Sequence, residues 1–120
     1  MRAGHNPLLH VSNHNSKPVY IQPPGLAIGL DSGEKFNQII KLETVKLSSG
    51  DNLLLFTDGV TEARNNSGEE YGEERLSKII DKSKKLGVFE IKENILDDIM
   101  NFVGNYPLHD DLTFIVIKRN

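Results

Sequence analysis

Residues 50–63 read GDNLLLFTDGVTEA, and this stretch decides how the rest of the chain is interpreted. It contains a turn, an apolar run at 53–56 and the carboxylate of Asp58 directly after that run. The run is too short to cross a membrane and is typical of a buried strand, although periodicity alone also allows a short buried helix. A strand end is rigid and accessible, so Asp58 is a candidate for chemistry, but the Asp-Gly pair by itself favours a structural turn.

The composition limits the classes of protein to consider. With 120 residues, 38% of them hydrophobic, the chain forms one domain or part of one. Its net charge of −3 gives no basic field for nucleic acid or an anionic membrane surface, and without Cys it has no disulfide, thiolate zinc site or cysteine nucleophile. The chain has no apolar run of membrane-spanning length and no secretory signal, so we expect a cytoplasmic protein.

The segments before this stretch have the alternating pattern of strands. Two apolar runs at 8–11 and 19–21, separated by a polar segment, predict a β-hairpin. Partial alternation across 36–47, followed by turn residues, predicts a second hairpin whose return strand is the run at 53–56.

The segments after this stretch have helical periodicity. Glu69 and Glu70 suit a helix start, and apolar residues then recur at helical spacing. A second helix is predicted from about Phe89 to Val103, because one face stays apolar.

The last strand is predicted at 114–117, where consecutive apolar residues indicate that both of its faces are covered. Two adjacent carboxylates, Asp110 and Asp111, precede it. Adjacent aspartates repel each other and are poor strand formers, so the pair needs either full solvation or a cation.

An ordered set of motifs resembles the stage II sporulation protein E family, bacterial serine phosphatases of the metal-dependent, type 2C-like (PPM) superfamily. The resemblance covers essentially the whole chain. The motifs are Arg2-Ala3-Gly4-His5-Asn6-Pro7, Gly25-Leu26-Ala27-Ile28-Gly29-Leu30, Gly50-Asp51, Thr57-Asp58-Gly59-Val60-Thr61-Glu62-Ala63, Tyr71-Gly72 with Leu76, and Asp110-Asp111-Leu112-Thr113.

This resemblance implies an α+β fold, part of an αββα sandwich with antiparallel strands, two helices and a two-ion Mn²⁺ or Mg²⁺ site at its edge. Asp58 and Asp110 match the family's metal ligands and so carry the catalysis, while Asp111 leaves the choice between the two neighbouring aspartates open. Oxygen-only ligation suits hard cations. In the family, the ions activate a water that attacks the phosphorus of phosphoserine or phosphothreonine.

Three further residues are expected near this site. His5, within the Ala-Gly-His motif, is assigned a positioning role by the resemblance, and Gly59 a backbone requirement. His109 either orients a carboxylate from the second coordination shell or is simply exposed. His10 and His14 are four residues apart, but the surrounding Asn and Ser residues favour a loop over a helical metal pair.

The family's remaining metal ligands lie in an N-terminal half that residues 1–120 do not contain. The chain is therefore expected to be the C-terminal part of one phosphatase domain, to bind Mn²⁺ weakly and not to hydrolyse phosphate esters alone. Uncovered strand edges and apolar faces are expected to favour a homodimer.

The resemblance implies a phosphoprotein substrate, specifically an anti-sigma-factor antagonist in bacterial signalling. Two other functions stay open at this point. One is a non-catalytic interaction module with a degenerate phosphatase fold. The other is a calcium- or magnesium-stabilised domain, although the sequence lacks the closely spaced oxygen ligands of an EF-hand.

Overall fold

The structure, a computed structural model, describes residues 5–14, 16–31 and 33–120. The Arg2-Ala3-Gly4 part of the first motif lies outside these residues. The elements in chain order are β1 Leu8–Val11, β2 Val19–Ile21, α1 Glu34–Ile39, β3 Asn52–Phe56, α2 Asp58–Thr61, α3 Gly72–Ser83, α4 Val88–Val103 and β4 Phe114–Lys118.

The four strands form one antiparallel sheet in the order β2-β1-β3-β4. The predicted hairpin is confirmed as β1 and β2, in which Leu9 is paired with Tyr20. The predicted core strand is confirmed as β3, and its burial alternates along its length because strands point successive side chains to opposite faces. The α+β prediction is therefore confirmed.

The second predicted hairpin is wrong. Residues 34–39 form α1, no strand occurs between 40 and 51, and β3 pairs with β1 and β4 instead. The carboxylate of Asp31 accepts hydrogen bonds from the backbone amides of Gly33, Lys35 and Phe36. This side-chain cap satisfies the free amides of a helix start, which partial alternation in the sequence does not reveal.

The two long helices are confirmed, with one change of boundary. Helix α3 begins at Gly72 instead of near Glu69, because Glu69 and Glu70 belong to a turn. In that turn the backbone of Glu70 pairs with that of Arg64, and Asn65 donates its amide to the carbonyl of Glu69. No helix among the described residues has the length and apolar character needed to span a membrane.

Helices α3 and α4 cover one face of the sheet and form the core with it. Residues three or four positions apart on α4 face the strands, as expected for an amphipathic helix. The fully buried apolar residues include Leu9, Val11, Leu54, Phe56, Val60, Leu76, Ile80, Ile91, Ile95, Ile99 and Val103.

The opposite face of the sheet is open among the described residues, so the prediction that both faces of the last strand are covered is wrong. Ile115 and Ile117 on β4 are 56% and 45% exposed. In the strand register they lie opposite Leu55 and Leu53, which are only half-buried. The consecutive apolar residues of β4 predicted that other elements would cover both of its faces, but in the described part of the chain helices cover only one face.

Candidate functional site

Asp58 lies at the carboxyl end of β3, where the chain leaves the sheet and enters the short helix α2. The amide of Thr57 donates to the carbonyl of Thr113 at 3.0 Å, which continues the pairing with β4 to the end of the strand. The exposed carboxylate of Asp58 accepts a hydrogen bond from the amide of Gly59 at 3.1 Å. The buried strand β3 therefore fixes the backbone of Asp58, while the carboxylate of Asp58 is exposed to solvent.

The antiparallel register brings the other two candidate aspartates to the same edge. Phe56, near the end of β3, pairs with Phe114 at the start of β4, and Asp110 and Asp111 lie just before β4. The two segments touch at Gly59, where an added Cβ would lie 2.4 Å from the carbonyl oxygen of Asp111 and 3.5 Å from Cβ of Asp110. Glycine is required here for close approach of two backbones.

The carboxylates at this edge are not neutralised by basic side chains of the described residues, since no Lys or Arg there forms a salt bridge with Asp58, Asp110 or Asp111. From the residues that the structure describes, the side chain of Asp110 accepts one hydrogen bond, from the neighbouring amide of Asp111 at 2.8 Å. Both aspartates are exposed. Their remaining lone pairs are thus available to water or to a cation.

Three cavities lined by described residues border this edge, and we name them by their position. The β3 cavity, of about 130 Å³, is lined by His5, Asn6, Thr57 and Asp58. His5 and Asp58 thus line the same cavity, and the positioning role of His5 stays a prediction.

The other two cavities are both lined by the segment before β4. The α2 cavity, of about 310 Å³, is lined by residues at the end of α2 together with Leu108, His109 and Asp110. The α4 cavity, of about 450 Å³, is lined by Met100 and its neighbours on α4, together with residues 108–112.

His109 lines both of these cavities, but its ring is engaged by Tyr106. Its Nε2 lies 3.2 Å from the Tyr106 hydroxyl, and the two rings stack edge to face with their centroids 5.3 Å apart. Tyr106 therefore fixes the position of the imidazole beside Asp110.

The carboxylate oxygens that the described residues place at this edge are of the kind that binds a hard divalent cation, but there are too few of them to hold one. Carboxylate oxygens are the ligands preferred by Mg²⁺ and Mn²⁺. However, within the described part of the chain no three His, Cys, Asp or Glu side chains form a group that could hold a metal ion. A metal site at this edge would therefore need donors beyond the described residues.

Two features near the ends of β3 do not follow from the sequence pattern. The turn and the Gly50-Asp51 motif do not predict that the carboxylate of Asp51 is buried, accepts hydrogen bonds from the amides of Asn13 and Ser48 and pairs with His10. Arg64, which directly follows the stretch at 50–63, lines the α2 cavity. Its position next to the Asp-Gly motif was the signal that could have pointed to it.

Known proteins are similar to this chain in sequence. A family model described as Stage II sporulation protein E (SpoIIE) matches residues 1–120. The chain is 31% identical over 117 residues to the phosphoserine phosphatase RsbU of Bacillus subtilis, and this match covers 98% of the chain and 33% of RsbU.

Two solved structures are similar in fold. The SiaA-PP2C domain of Pseudomonas aeruginosa has a TM-score of 0.78 at 20% identity, covering 97% of this chain and 44% of that domain. The Mn-presoaked phosphatase domain of SpoIIE from Bacillus subtilis has a TM-score of 0.64 at 17% identity, covering 98% and 48%.

The chain thus spans about a third of the length of RsbU and less than half of either phosphatase domain. The family match extends over every residue of the chain, and the fold agrees with that of the two phosphatase domains. The chain therefore belongs to the stage II sporulation protein E family.

Proposed function

We propose that this chain is part of the active site of a metal-dependent protein serine/threonine phosphatase, with Asp58 and Asp110 as metal ligands. The observation that carries this proposal is the antiparallel pairing of β3 with β4, which brings the two carboxylates to one edge of the sheet. Asp111 is the alternative ligand to Asp110, because both carboxylates are exposed at this edge.

The residues of this chain have separate tasks in the proposed reaction. Asp58 and Asp110 hold Mn²⁺ or Mg²⁺, and Gly59 allows their two segments to lie in contact. His5 and His109 position groups in the cavities on the two sides of the site. When bound, the ions supply a water of lowered pKa and neutralise charge on the phosphoryl oxygens.

Residues 1–120 form the C-terminal part of one phosphatase domain in this proposal. The domains of similar fold are about twice as long as this chain, which supports the need for further ligands from another segment. We infer that the 120 residues alone bind Mn²⁺ weakly and are inactive on phosphate esters.

The proposed substrate is a phosphoserine or phosphothreonine protein in the cytoplasm. The name of RsbU, a phosphoserine phosphatase, supports the phosphoserine assignment. The family resemblance supports an anti-sigma-factor antagonist as the particular phosphoprotein, within bacterial sigma-factor regulation.

The test is hydrolysis of p-nitrophenyl phosphate by the full-length product of the encoding gene, with and without Mn²⁺. We expect Mn²⁺-dependent turnover that falls at least about a thousandfold in Asp58→Asn and Asp110→Asn, because loss of a ligand removes the ion. Asp97→Asn is the matched control, since Asp97 is exposed on α4 and lines none of the three cavities. Full activity in Asp58→Asn would refute the assignment.

The non-catalytic interaction module remains the second candidate, and one observation favours it. The described residues contain no group of three metal-binding side chains. If the folded full-length product shows no Mn²⁺-dependent hydrolysis, while its fold is intact by circular dichroism, the interaction module replaces the phosphatase.

The open sheet face supports the proposal that the 120-residue chain forms a homodimer. Ile115 and Ile117 expose apolar surface on β4, an edge strand of the sheet. Light scattering at high concentration should give twice the monomer mass, and Ile115→Lys should return the chain to a monomer. A monomer mass for the unmodified chain would contradict the dimer.

A further inference from the structure

The α2 cavity is lined by a positively charged side chain, that of Arg64, to which the proposed reaction assigns no task. The cavity has a volume of about 310 Å³ and touches both segments of the proposed metal edge. Its lining includes Gly59, Glu62, Arg64, Leu108, His109 and Asp110.

Among the described residues that line these three cavities, Arg64 alone has a permanently charged basic side chain. Its side chain is 48% exposed, and one terminal nitrogen, Nη2, donates to the Glu70 carboxylate at 2.9 Å. Within the described part of the chain, its Nε and Nη1 have no hydrogen-bond partner. A guanidinium fork presents several N–H donors in one plane, which suits two oxygens of a phosphoryl or carboxylate group.

The surroundings keep this guanidinium charged. The hydrogen bond that Arg64 donates to Glu70, followed by the negative charge of Glu70, raises the pKa of Arg64. Glu62 also lines the cavity and adds negative charge, as does Asp110 at the edge of the proposed metal site. An anion in the cavity therefore depends on Arg64 for attraction, and on metal ions to neutralise Asp110.

We propose that Arg64 binds an anionic oxygen group of the phosphorylated substrate in the α2 cavity, beside Asp110. This inference rests on the proposed phosphatase function and adds a substrate-binding residue to it. The anionic group is either the phosphoryl group itself or the carboxylate of a residue next to the phosphoserine, and both present paired oxygens to the guanidinium fork.

A purely structural role for Arg64 is the competing explanation, because its ion pair with Glu70 spans the turn at 64–70. That turn, however, has other support. The backbones of Arg64 and Glu70 are bridged, and the side-chain oxygen of Asn65 accepts the amides of Ser67 and Glu69 at 3.0 Å each. The turn does not need the guanidinium to keep its shape.

The test compares Arg64→Gln with Glu70→Gln, which removes the same ion pair but keeps the arginine. In the full-length product with Mn²⁺, we expect Arg64→Gln to raise KM at least about tenfold with a smaller change in kcat, as for the loss of a hydrogen bond to a charged group. Glu70→Gln should change KM less than about twofold. A purely structural role would make the two variants equal, and that result would overturn the proposal.

Two substrates identify the anionic group. If Arg64→Gln raises KM equally for p-nitrophenyl phosphate and a phosphoserine peptide, the phosphoryl group is bound. If only a phosphoserine peptide with a neighbouring glutamate is affected, the guanidinium binds that carboxylate. An unchanged KM for both substrates would refute the role of Arg64.

Binding measurements separate this inference from the phosphatase proposal. If the full-length product proves inactive, fluorescence anisotropy with the same phosphoserine peptide still measures affinity in the presence of Mn²⁺. We expect Arg64→Gln to weaken binding at least about tenfold relative to the unmodified protein. Equal affinity of the unmodified and Arg64→Gln proteins, or no binding by the unmodified protein, would overturn the inference about Arg64 separately from the result of the hydrolysis test.

Discussion

Strand β3 has an aspartate next to a glycine at each end, and the two aspartates lie in opposite environments. Asp51, before the strand, is 2% exposed, and its carboxylate accepts the amides of Asn13 and Ser48 at 2.9 Å each. Asp58, after the strand, is exposed, and among the described residues only the adjacent amide of Gly59 donates to it.

The difference shows how one residue type is used for stability at one end of a strand and stays accessible to a ligand at the other. The lone pairs of Asp51 are used by two amides and by His10, whose Nε2 lies 3.1 Å away. These contacts fix the loops at 12–14 and 47–51 to the sheet. Asp58 keeps most of its lone pairs open, so a ligand can use them without breaking contacts that stabilise the fold.

The largest expected difference between the two ends is in stability. Asp51→Ala leaves two backbone amides and the His10 ring without an acceptor, so it should lower the free energy of unfolding by about 3 kcal/mol. Asp58→Ala should change it by less than about 0.5 kcal/mol, because the side chain is exposed. Urea denaturation of both variants measures this, and an equal loss of stability would remove the distinction.

We expect the loss of stability at acidic pH to come from the carboxyl group of Asp51. Burial alone would raise the pKa of Asp51, but the hydrogen bonds from Asn13, Ser48 and His10 outweigh it and lower the pKa from 3.8 to about 2. A carboxyl whose pKa is lower in the folded than in the unfolded state stabilises the fold at pH values above its unfolded-state pKa. This stabilisation is lost as the pH falls through the folded-state pKa. This contribution is about 2 kcal/mol.

We therefore expect the free energy of unfolding to fall by about 2 kcal/mol from about pH 5 to about pH 2. Urea denaturation across this range is the measurement. The Asp51→Ala variant is the control and should lose most of this slope. A slope that persists unchanged in the variant would assign acid sensitivity to other groups.

The sequence predicted the elements whose signal lies in their own residues. The apolar run of β3 and the helical spacing of Ile91, Ile95 and Ile99 on α4 each report their own burial. Asp58 and Asp110 could be placed near each other only through the family resemblance, because their proximity depends on the pairing of β3 with β4.

Features set by specific side-chain contacts, or by which face of the sheet is covered, were missed. The cap that starts α1 depends on the Asp31 carboxylate reaching three amides, and local alternation does not encode it. The burial of Asp51 depends on Asn13, which is 38 residues away in sequence. The exposure of Ile115 depends on which face of β4 the helices cover, and its own apolar character predicts the opposite.

The smallest expected effects concern the two glycines that flank β3. Gly50 has φ +83°, and its added Cβ would lie 2.4 Å from the side-chain nitrogen of Asn13. Gly59 has no positive φ, and its added Cβ would meet the backbone oxygen of Asp111 instead. Gly50→Ala and Gly59→Ala should therefore each cost about 1 to 2 kcal/mol of stability, the first by backbone strain and the second by overpacking.

The two glycine variants should differ in metal binding. Gly59→Ala pushes the backbone at Asp110 and Asp111 away from Asp58, so Mn²⁺ affinity should fall, whereas Gly50→Ala changes only the opposite end of the strand. Calorimetric titration with Mn²⁺, paired with urea denaturation, measures both effects in the full-length product. If Gly59→Ala loses stability but binds Mn²⁺ as tightly as the unmodified protein, close contact of the two segments is a packing requirement and does not set the metal site.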